Sequence, residues 1–475
     1  INYAGGNVGV GTASPGSPLT VGGTIETTAG GVKFPDGRTQ GKAVVLSDHL
    51  CPVGQYLRGW DAMGTKICVA VNAGEVNQTY LQVSVGYLVT CAIRSDNLTQ
   101  CWGYGNYGEL GNAANVESRT PVKVRKSDGT YLKSKRLIVG VDTTCAIQAS
   151  DDRVYCWGYG PQGQIGNGAY LSKNIATPVS NLGAVKELTH TYLAFCAIDV
   201  SDRVWCWGAN NYYGLGNGTT TASAVPTPTL DQSTGTQLSG MNRLAGATGS
   251  AACAYNDAIG SPRIYCWGYN GSGEMGDGTT GGYVQQAKSI SMTAMTADGV
   301  DQIVSVVGGG DYKNWRNSFC AVGRTAASTY KAYCWGYNAY GNLMIDGDQT
   351  AKNVPTVATS VGAKSAPFQL LMSPYTSCML SGGTVQCAGW GGRGELGNGG
   401  TASSYPFVTV LPIGGGAGSF TASSLAVSTG SYDGLSHFCG ISTDGYIGCW
   451  GYGANGQLGN NGIANSAFPV GVYQE

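Results

Sequence analysis

The cysteines have the greatest chemical capacity in this sequence, because sixteen of them recur in pairs. Seven times, a cysteine is followed about ten residues later by a second one that runs into Trp-Gly or a close variant, as at Cys145 and Cys156. Zinc sites need tighter clusters of ligands, and the chain has only three histidines and no Cys-x-x-Cys. Paired disulfides are therefore favoured over buried free thiols. Disulfides indicate an oxidising compartment, such as the periplasm, the cell surface or the medium.

Each cysteine pair is predicted to close a β-hairpin. The residues between Cys378 and Cys387 favour strands around Gly382-Gly383, a dipeptide that suits a two-residue turn. Residues directly opposite each other in an antiparallel pair are close enough for a disulfide. The predicted disulfides of the repeats are Cys91–Cys101, Cys145–Cys156, Cys196–Cys206, Cys253–Cys266, Cys320–Cys334, Cys378–Cys387 and Cys439–Cys449.

Residues for catalysis are scarce. None of the histidines lies in a recognisable nucleophile motif, and the sequence contains no Gly-x-Ser-x-Gly, phosphate loop or His-Glu-x-x-His. The segments at Asp277-Gly and Asp346-Gly-Asp348 have some calcium-like character, but both lie where the repeat makes turns, so a structural role is favoured. Carboxylates of repeats that are far apart in the sequence can still lie close together in the fold and form a paired-carboxylate site. The sequence predicts a protein that is not an enzyme and needs no metal or cofactor.

The repeat itself predicts the fold. After each second cysteine comes a glycine-rich tail, and a short strand follows that often begins with Pro-Val, as at Pro121-Val122. Four short strands per unit, repeated seven times, predict an all-β, seven-bladed β-propeller over residues 80–475. The tryptophans that follow the second cysteines are core residues by their spacing: Trp102, Trp157, Trp207, Trp267, Trp335 and Trp450.

Ring closure and three departures from the repeat lead to further expectations. The first unit lacks a preceding Pro-Val strand, so the C-terminal strand at residues 468–475 is predicted to complete the first blade. In the sixth unit Ala388 replaces the tryptophan and Trp390 stands two residues later, which suggests that the large ring has moved along the strand. Met344 and Tyr213 replace tail glycines and predict altered loops.

The recurring pattern Cys-Ala-Ile…Val-Tyr-Cys-Trp-Gly…Gly-x-Leu-Gly resembles the regulator of chromosome condensation (RCC1-like) repeat family, from about Tyr80 to Glu475. The resemblance implies a seven-bladed propeller. Known members include a nucleotide-exchange factor for a nuclear GTPase, secreted bacterial inhibitors of β-lactamase, and scaffolds. The fold alone does not choose among these functions.

The N-terminal residues 1–42 differ in composition, with apolar residues separated by glycine, and are unable to bury a core of their own. They resemble the shaft ends of phage tail fibres and bacterial surface fibres through Gly-Asn-Val-Gly-Val-Gly-Thr and Gly-Gly-Val-Lys-Phe-Pro-Asp-Gly. Those fibres are homotrimers with β-rich strands, so the resemblance implies a trimerising segment; a flexible linker is the alternative. Residues 43–79 are predicted to form a neck closed by a Cys51–Cys68 disulfide.

Charge and hydropathy exclude two kinds of partner. The net charge is −1 and no basic run occurs, so nucleic-acid binding is not expected. No stretch approaches the ~20 apolar residues of a membrane span, so direct membrane insertion is not expected.

Recognition is expected on the loops of a propeller face. The sixth residue after each second cysteine varies freely in a turn, and aromatic and amide side chains there suit sugars, although a variable turn needs no ligand. The candidates are Tyr107, Gln162, Tyr212, Ser272, Tyr340, Arg393 and Asn455, with Tyr312, Trp315 and Arg316 from an insertion at 308–317.

The sequence as a whole predicts the tip of a trimeric extracellular fibre, attached to a bacterial envelope, that binds a target-cell surface glycan or protein. This combination resembles the adhesive trimers of predatory bacteria and the receptor-binding proteins of phage tails. The alternative is a secreted protein-binding propeller such as an enzyme inhibitor.

Overall fold

The structure, a computed structural model, describes residues 78–311, 316–339, 341–428 and 435–473 in full, together with the backbone of seven short strands before them. The chain divides into two compact units, Ile1–Asn77 and Gln78–Glu475. In the first unit, the strands are β1 (Asn2–Ala4), β2 (Asn7–Val10), β3 (Leu19–Val21), β4 (Val32–Lys33), β5 (Thr39–Gln40), β6 (Gln55–Trp60) and β7 (Lys66–Ala70). Pairing joins β1-β2-β3, β4-β5 and β6-β7. The predicted Cys51–Cys68 disulfide lies outside the described residues.

The second unit consists of seven four-stranded antiparallel sheets, and each sheet is one blade. The prediction of an all-β, seven-bladed propeller is confirmed. The strands of blades one to four are β8 (Tyr80–Val85), β9 (Val89–Arg94), β10 (Thr99–Gly103), β11 (Ser118–Lys123); β12 (Ser134–Val139), β13 (Thr143–Gln148), β14 (Val154–Gly158), β15 (Lys173–Pro178); β16 (Val185–His190), β17 (Ala194–Asp199), β18 (Val204–Gly208), β19 (Ser223–Pro228); and β20 (Arg243–Ala247), β21 (Ala251–Asn256), β22 (Arg263–Tyr269), β23 (Tyr283–Ser289).

The remaining blades follow the same order, preceded by one short helix, α1 (Thr293–Ala297). Their strands are β24 (Val300–Asp311), β25 (Arg316–Thr325), β26 (Tyr330–Gly336), β27 (Lys352–Val357); β28 (Phe368–Met372), β29 (Thr376–Ser381), β30 (Thr384–Gly389), β31 (Ser404–Thr409); and β32 (Ala422–Val427), β33 (His437–Ser442), β34 (Ile447–Gly451), β35 (Ser466–Gly471).

The second and third strands of each blade form the hairpin that the cysteines bridge. Cys378 lies directly opposite Cys387, and both turn glycines, Gly382 and Gly383, have positive φ angles. The structure contains all seven disulfides of the repeats, with Cα–Cα distances of 4.0 to 4.1 Å. Seven disulfides indicate an oxidising, secreted or extracellular environment.

The Trp-Gly step has a steric cause. Gly103 has a φ of 106°, and a Cβ atom there would lie 2.3 Å from the carbonyl oxygen of Leu88. The register between the third and fourth strands shifts across the preceding residue, Trp102. A bulge of this kind redirects a side chain. In this blade it accompanies a Trp102 ring that is fully buried in the cluster shared with blade seven.

The C-terminal strand does not join the first blade, so that prediction was wrong. Strand β35 pairs with β34 of its own blade, and the first blade has its own fourth strand, β11. The Pro-Val strand therefore belongs to the unit whose cysteines precede it. The ring closes through packing instead, because Tyr80, Val83 and Trp102 share one core cluster with Ile441 and Leu458.

Neighbouring blades bury the core between them, and each of seven apolar clusters spans adjacent blades. Within the described residues, no helix has the length and apolar character needed to cross a membrane.

Candidate functional site

The strand order places most of the predicted recognition residues on one face. Because the four strands of a blade are consecutive and antiparallel, the turn between the first and second strands and the connection between the third and fourth lie at the same end. A backbone contact joins them: the N–H of Tyr159 donates to the carbonyl of Asp142 at 2.8 Å. We call this end of the ring the tail face.

In five of the seven units, a backbone hydrogen bond fixes the sixth residue after the second cysteine and leaves its side chain free to vary. The N–H of Tyr107 donates to the carboxylate of Glu109 at 2.8 Å, and the N–H of Gln162 donates to the side-chain oxygen of Gln164 at the same distance. Ser272, Arg393 and Asn455 make the equivalent bond to the residue two positions later. The repeat thus provides a rigid turn with an interchangeable side chain.

Two of the predicted residues meet at one pocket. Gln162 of the second blade and Tyr212 of the third both line a pocket of about 210 Å³ on the tail face. Tyr192, from a first-to-second-strand turn, lines it too. Ala209 stands where most other units have tyrosine, and its small side chain forms part of the pocket wall. The pocket therefore combines an amide with two phenol rings.

The other candidates are distributed around the ring, one per blade. Tyr107 is 49% exposed, and its ring lies 5.3 Å from that of Tyr159 in the next blade. The guanidinium of Arg393 lies 5.0 Å above the ring of Tyr452. Ser272 and Asn455 are half-buried in their turns. These residues form separate positions rather than one site.

The described ends of the insertion, residues 308–311 and 316–317, lie at the end of the hairpin between the first and second strands of blade five, on the same face. Its base is held by Asn317, whose side chain bonds both backbone groups of Gly249 in blade four. Arg316 lies 4.9 Å above the ring of Tyr337. Tyr312, Trp315 and Tyr340 fall outside the described residues.

Sequence reasoning missed the aromatic residues that come from other strands. Tyr283, in the fourth strand of blade four, is 45% exposed and lies within 6 Å of the rings of Tyr212, Tyr213 and Tyr269. Tyr213, which takes the place of a tail glycine with a φ of 59°, directs its ring into this cluster. The glycine that Tyr213 replaces was the available signal in the sequence. Its detection does not reveal the contact, because Tyr283 lies 70 residues further along the chain.

Two of the acidic residues that could suggest metal or acid–base chemistry, Asp277 and Glu187, have structural partners. Asp277 accepts bonds from Thr279 and pairs with Lys288 at 2.6 Å. Glu187, buried on the first strand of blade three, pairs with Arg136 and Arg243 of the adjacent blades. No group of three or more possible metal ligands occurs among the described residues.

Three tail glutamates are buried beneath the tail face. Each of Glu109, Glu274 and Glu395 uses one carboxylate oxygen for a backbone N–H, while Oε1 has no hydrogen-bond partner within the described structure. Burial raises the pKa of each carboxyl to about 7. At the equivalent position Gln164 and Gln457 fulfil the same structural role without a charge.

These glutamates should make the propeller less stable as the pH rises. The pKa of each carboxyl is higher in the folded state than in the unfolded chain. The contribution of these residues to the free energy of unfolding is therefore fully present below about pH 4.5 and is lost as the pH rises through about 7. We expect the triple variant Glu109→Gln, Glu274→Gln, Glu395→Gln to melt a few degrees higher than the parent at pH 8 and equally at pH 4.

Thermal melts across this pH range provide the measurement. Glu117→Gln, an exposed carboxylate, is the matched control and should leave the pH profile unchanged. Gln164→Glu should make the melting temperature fall more steeply as the pH rises. A triple variant with the parent's pH profile would contradict the assignment.

The blades, the hairpin disulfides and the glycine-rich tails define the class: the chain contains an RCC1 repeat and folds as an RCC1-like seven-bladed propeller. Residues 201–240 match the family model described as the Regulator of chromosome condensation (RCC1) repeat.

Particular relatives extend this likeness over most of the chain. The ultraviolet-B receptor UVR8 of Arabidopsis thaliana is 25% identical over 394 residues, which cover 82% of this chain and 69% of UVR8. The probable E3 ubiquitin-protein ligase HERC4 of Rattus norvegicus is 24% identical, but the match covers 78% of this chain and only 32% of HERC4. The structure of Prp20p from Saccharomyces cerevisiae has a TM-score of 0.58 at 17% identity, covering 83% of this chain and 88% of Prp20p.

Proposed function

We propose that this chain is an extracellular fibre-tip adhesin that recognises a glycan on a target-cell surface. The observation that supports it best is the pocket at Gln162, Tyr192 and Tyr212, where phenol rings and an amide lie on a surface of low charge. Rings of this kind stack on sugar faces while amides bond hydroxyl groups. The disulfides suit an extracellular setting.

The adhesin is a homotrimer in this proposal, held together by residues 1–42 and attached to a bacterial envelope. This step rests on the fibre-like sequence of that segment. Three propellers on one fibre would strengthen weak single-site binding through avidity.

A glycan array with the purified intact chain tests the proposal. Tyr212→Ala and Gln162→Ala should each weaken binding at least tenfold, which corresponds to about 1.4 kcal/mol. Tyr131→Ala is the matched control, because Tyr131 is 42% exposed in a connection between a fourth strand and the next first strand, away from the tail face. Equal losses in all three variants, or no glycan bound, would refute the glycan assignment.

The second candidate is a secreted protein-binding propeller such as an enzyme inhibitor. Prp20p, which shares this fold, binds Gsp1p and histones, so a propeller of this kind can take protein partners. Light scattering separates the candidates: a trimer that becomes monomeric without residues 1–42 supports the fibre, whereas a monomeric intact chain favours the inhibitor.

A further inference from the structure

Six of the seven junctions between blades contain the same buried indole. In each, the tryptophan after the second cysteine is fully buried, and its Nε1–H donates to a tail carbonyl of the preceding blade at 2.9 Å. A tail glycine lies against the ring: a Cβ atom on Gly276 would be 3.0 Å from Trp335. The indole thus fills the junction and satisfies the carbonyl.

The junction between blades five and six lacks this indole, and two residues replace parts of it. Ala388 holds the tryptophan position, and the hydroxyl of Ser377 donates to the carbonyl of Asn342, which is the equivalent tail carbonyl, at 3.1 Å. Met344 replaces the tail glycine with a φ of 57° and is only 4% exposed. Trp390 is half-buried and is not among the residues around the vacated space, so the large ring has not moved into it.

These replacements leave a cleft of about 650 Å³ between the tail of blade five and the outer strand β31 of blade six. Its apolar lining includes Met344, Ile345, Ala388 and Phe407. At its edge lies Tyr405, which is 59% exposed. The volume is in the range of ligand pockets and exceeds the space of one side chain.

The charge at the mouth of the cleft is negative. The exposed carboxylate of Asp346 accepts a hydrogen bond from Ser360 and has no ion pair within the described part of the chain. Asp348 is neutralised by Lys352 at 2.5 Å. No described lysine or arginine lines the cleft. A cation beside the apolar cavity would therefore meet a complementary charge.

We propose that this cleft binds an aromatic side chain of a partner polypeptide that is followed by a lysine or arginine. The ring would occupy the space that an indole fills in the other six junctions, and the basic residue would face Asp346. Aromatic anchors in buried pockets are typical centres of protein–protein interfaces. The inference rests on the binding role proposed above but not on glycan recognition, since the tail-face pocket lies between other blades.

Calorimetry on the intact chain with blocked dipeptides tests the proposal. N-acetyl-Trp-Lys-amide should bind at least tenfold more tightly than N-acetyl-Trp-Glu-amide, and N-acetyl-Ala-Lys-amide should not bind. Tryptamine provides the non-peptide arm: binding as tight as that of Trp-Lys would assign the cleft to a small aromatic amine and overturn the polypeptide assignment. Absence of Trp-Lys binding would overturn the site.

Two variants locate the binding. Ala388→Trp with Met344→Gly restores the arrangement of the other junctions and should abolish dipeptide binding without lowering the melting temperature. Asp346→Asn should remove the preference for Lys over Glu, whereas Asp128→Asn, an exposed carboxylate at a connection between blades one and two, should not. Unchanged binding in the refilled variant, or an unchanged preference in Asp346→Asn, would refute the proposal. Glycan binding through Tyr212 should survive both variants, so the two proposals fail separately.

Discussion

Replacing Trp102 with alanine should lower the free energy of unfolding by about 4 kcal/mol, the usual cost of deleting a buried tryptophan. Trp102 closes the ring, because its indole lies between blade one and blade seven, fully buried and bonded to the carbonyl of Gln457 at 2.9 Å. Gly459 lies so close that a Cβ atom there would be 2.6 Å from Nε1 of the indole. The packing around the indole is therefore tight. Its neighbours have little room to relax into the cavity that the substitution would leave.

The matched control is Trp267→Ala, which removes the same indole from the junction between blades three and four. Both variants should lose a similar amount of stability in chemical denaturation. Only Trp102→Ala should increase hydrogen exchange in β8 and β33, because the polypeptide does not connect those two blades directly as it connects blades three and four. A loss below about 1 kcal/mol for Trp102→Ala would show that the ring is closed by something else.

The fold could be predicted from the sequence because the repeat is local. Each blade is a run of four consecutive strands, and the positions of Cys378 and Cys387 around two glycines define a hairpin register without information from elsewhere in the chain. The assignment of β35 to the first blade failed for a related reason. A Pro-Val strand lies in sequence between two cysteine hairpins, and the pattern alone does not decide which hairpin it pairs with.

The candidate sites were harder to predict because their residues come from different blades. Equivalent turns placed Gln162 and Tyr212 at corresponding positions, but their shared pocket depends on Tyr192 and on the small side chain of Ala209. The sequence showed both changes, Ala388 in place of a tryptophan and Met344 in place of a tail glycine. Their connection was not, because one change lies on a tail and the other on the third strand of the next blade.

Reduction of all seven repeat disulfides should prevent folding of the propeller. In the chain-entropy model, a bridge that closes a loop of 9 to 14 residues contributes about 3 kcal/mol, so seven bridges contribute about 20 kcal/mol. The net stability of a folded domain is only about 5–15 kcal/mol. The fourteen cysteines of the repeats are at most 1% exposed, so a reductant must act on the unfolded chain.

Reduction in denaturant, followed by dilution with reductant present, tests this expectation, and the fluorescence of the buried tryptophans reports folding. The oxidised chain treated in parallel should recover its native spectrum. A variant that lacks one bridge, Cys378→Ala with Cys387→Ala, should still fold, but its free energy of unfolding should fall by about 3 kcal/mol. If the fully reduced chain regained native fluorescence, the propeller would be stable without its bridges. Folding of this protein would then not require an oxidising compartment.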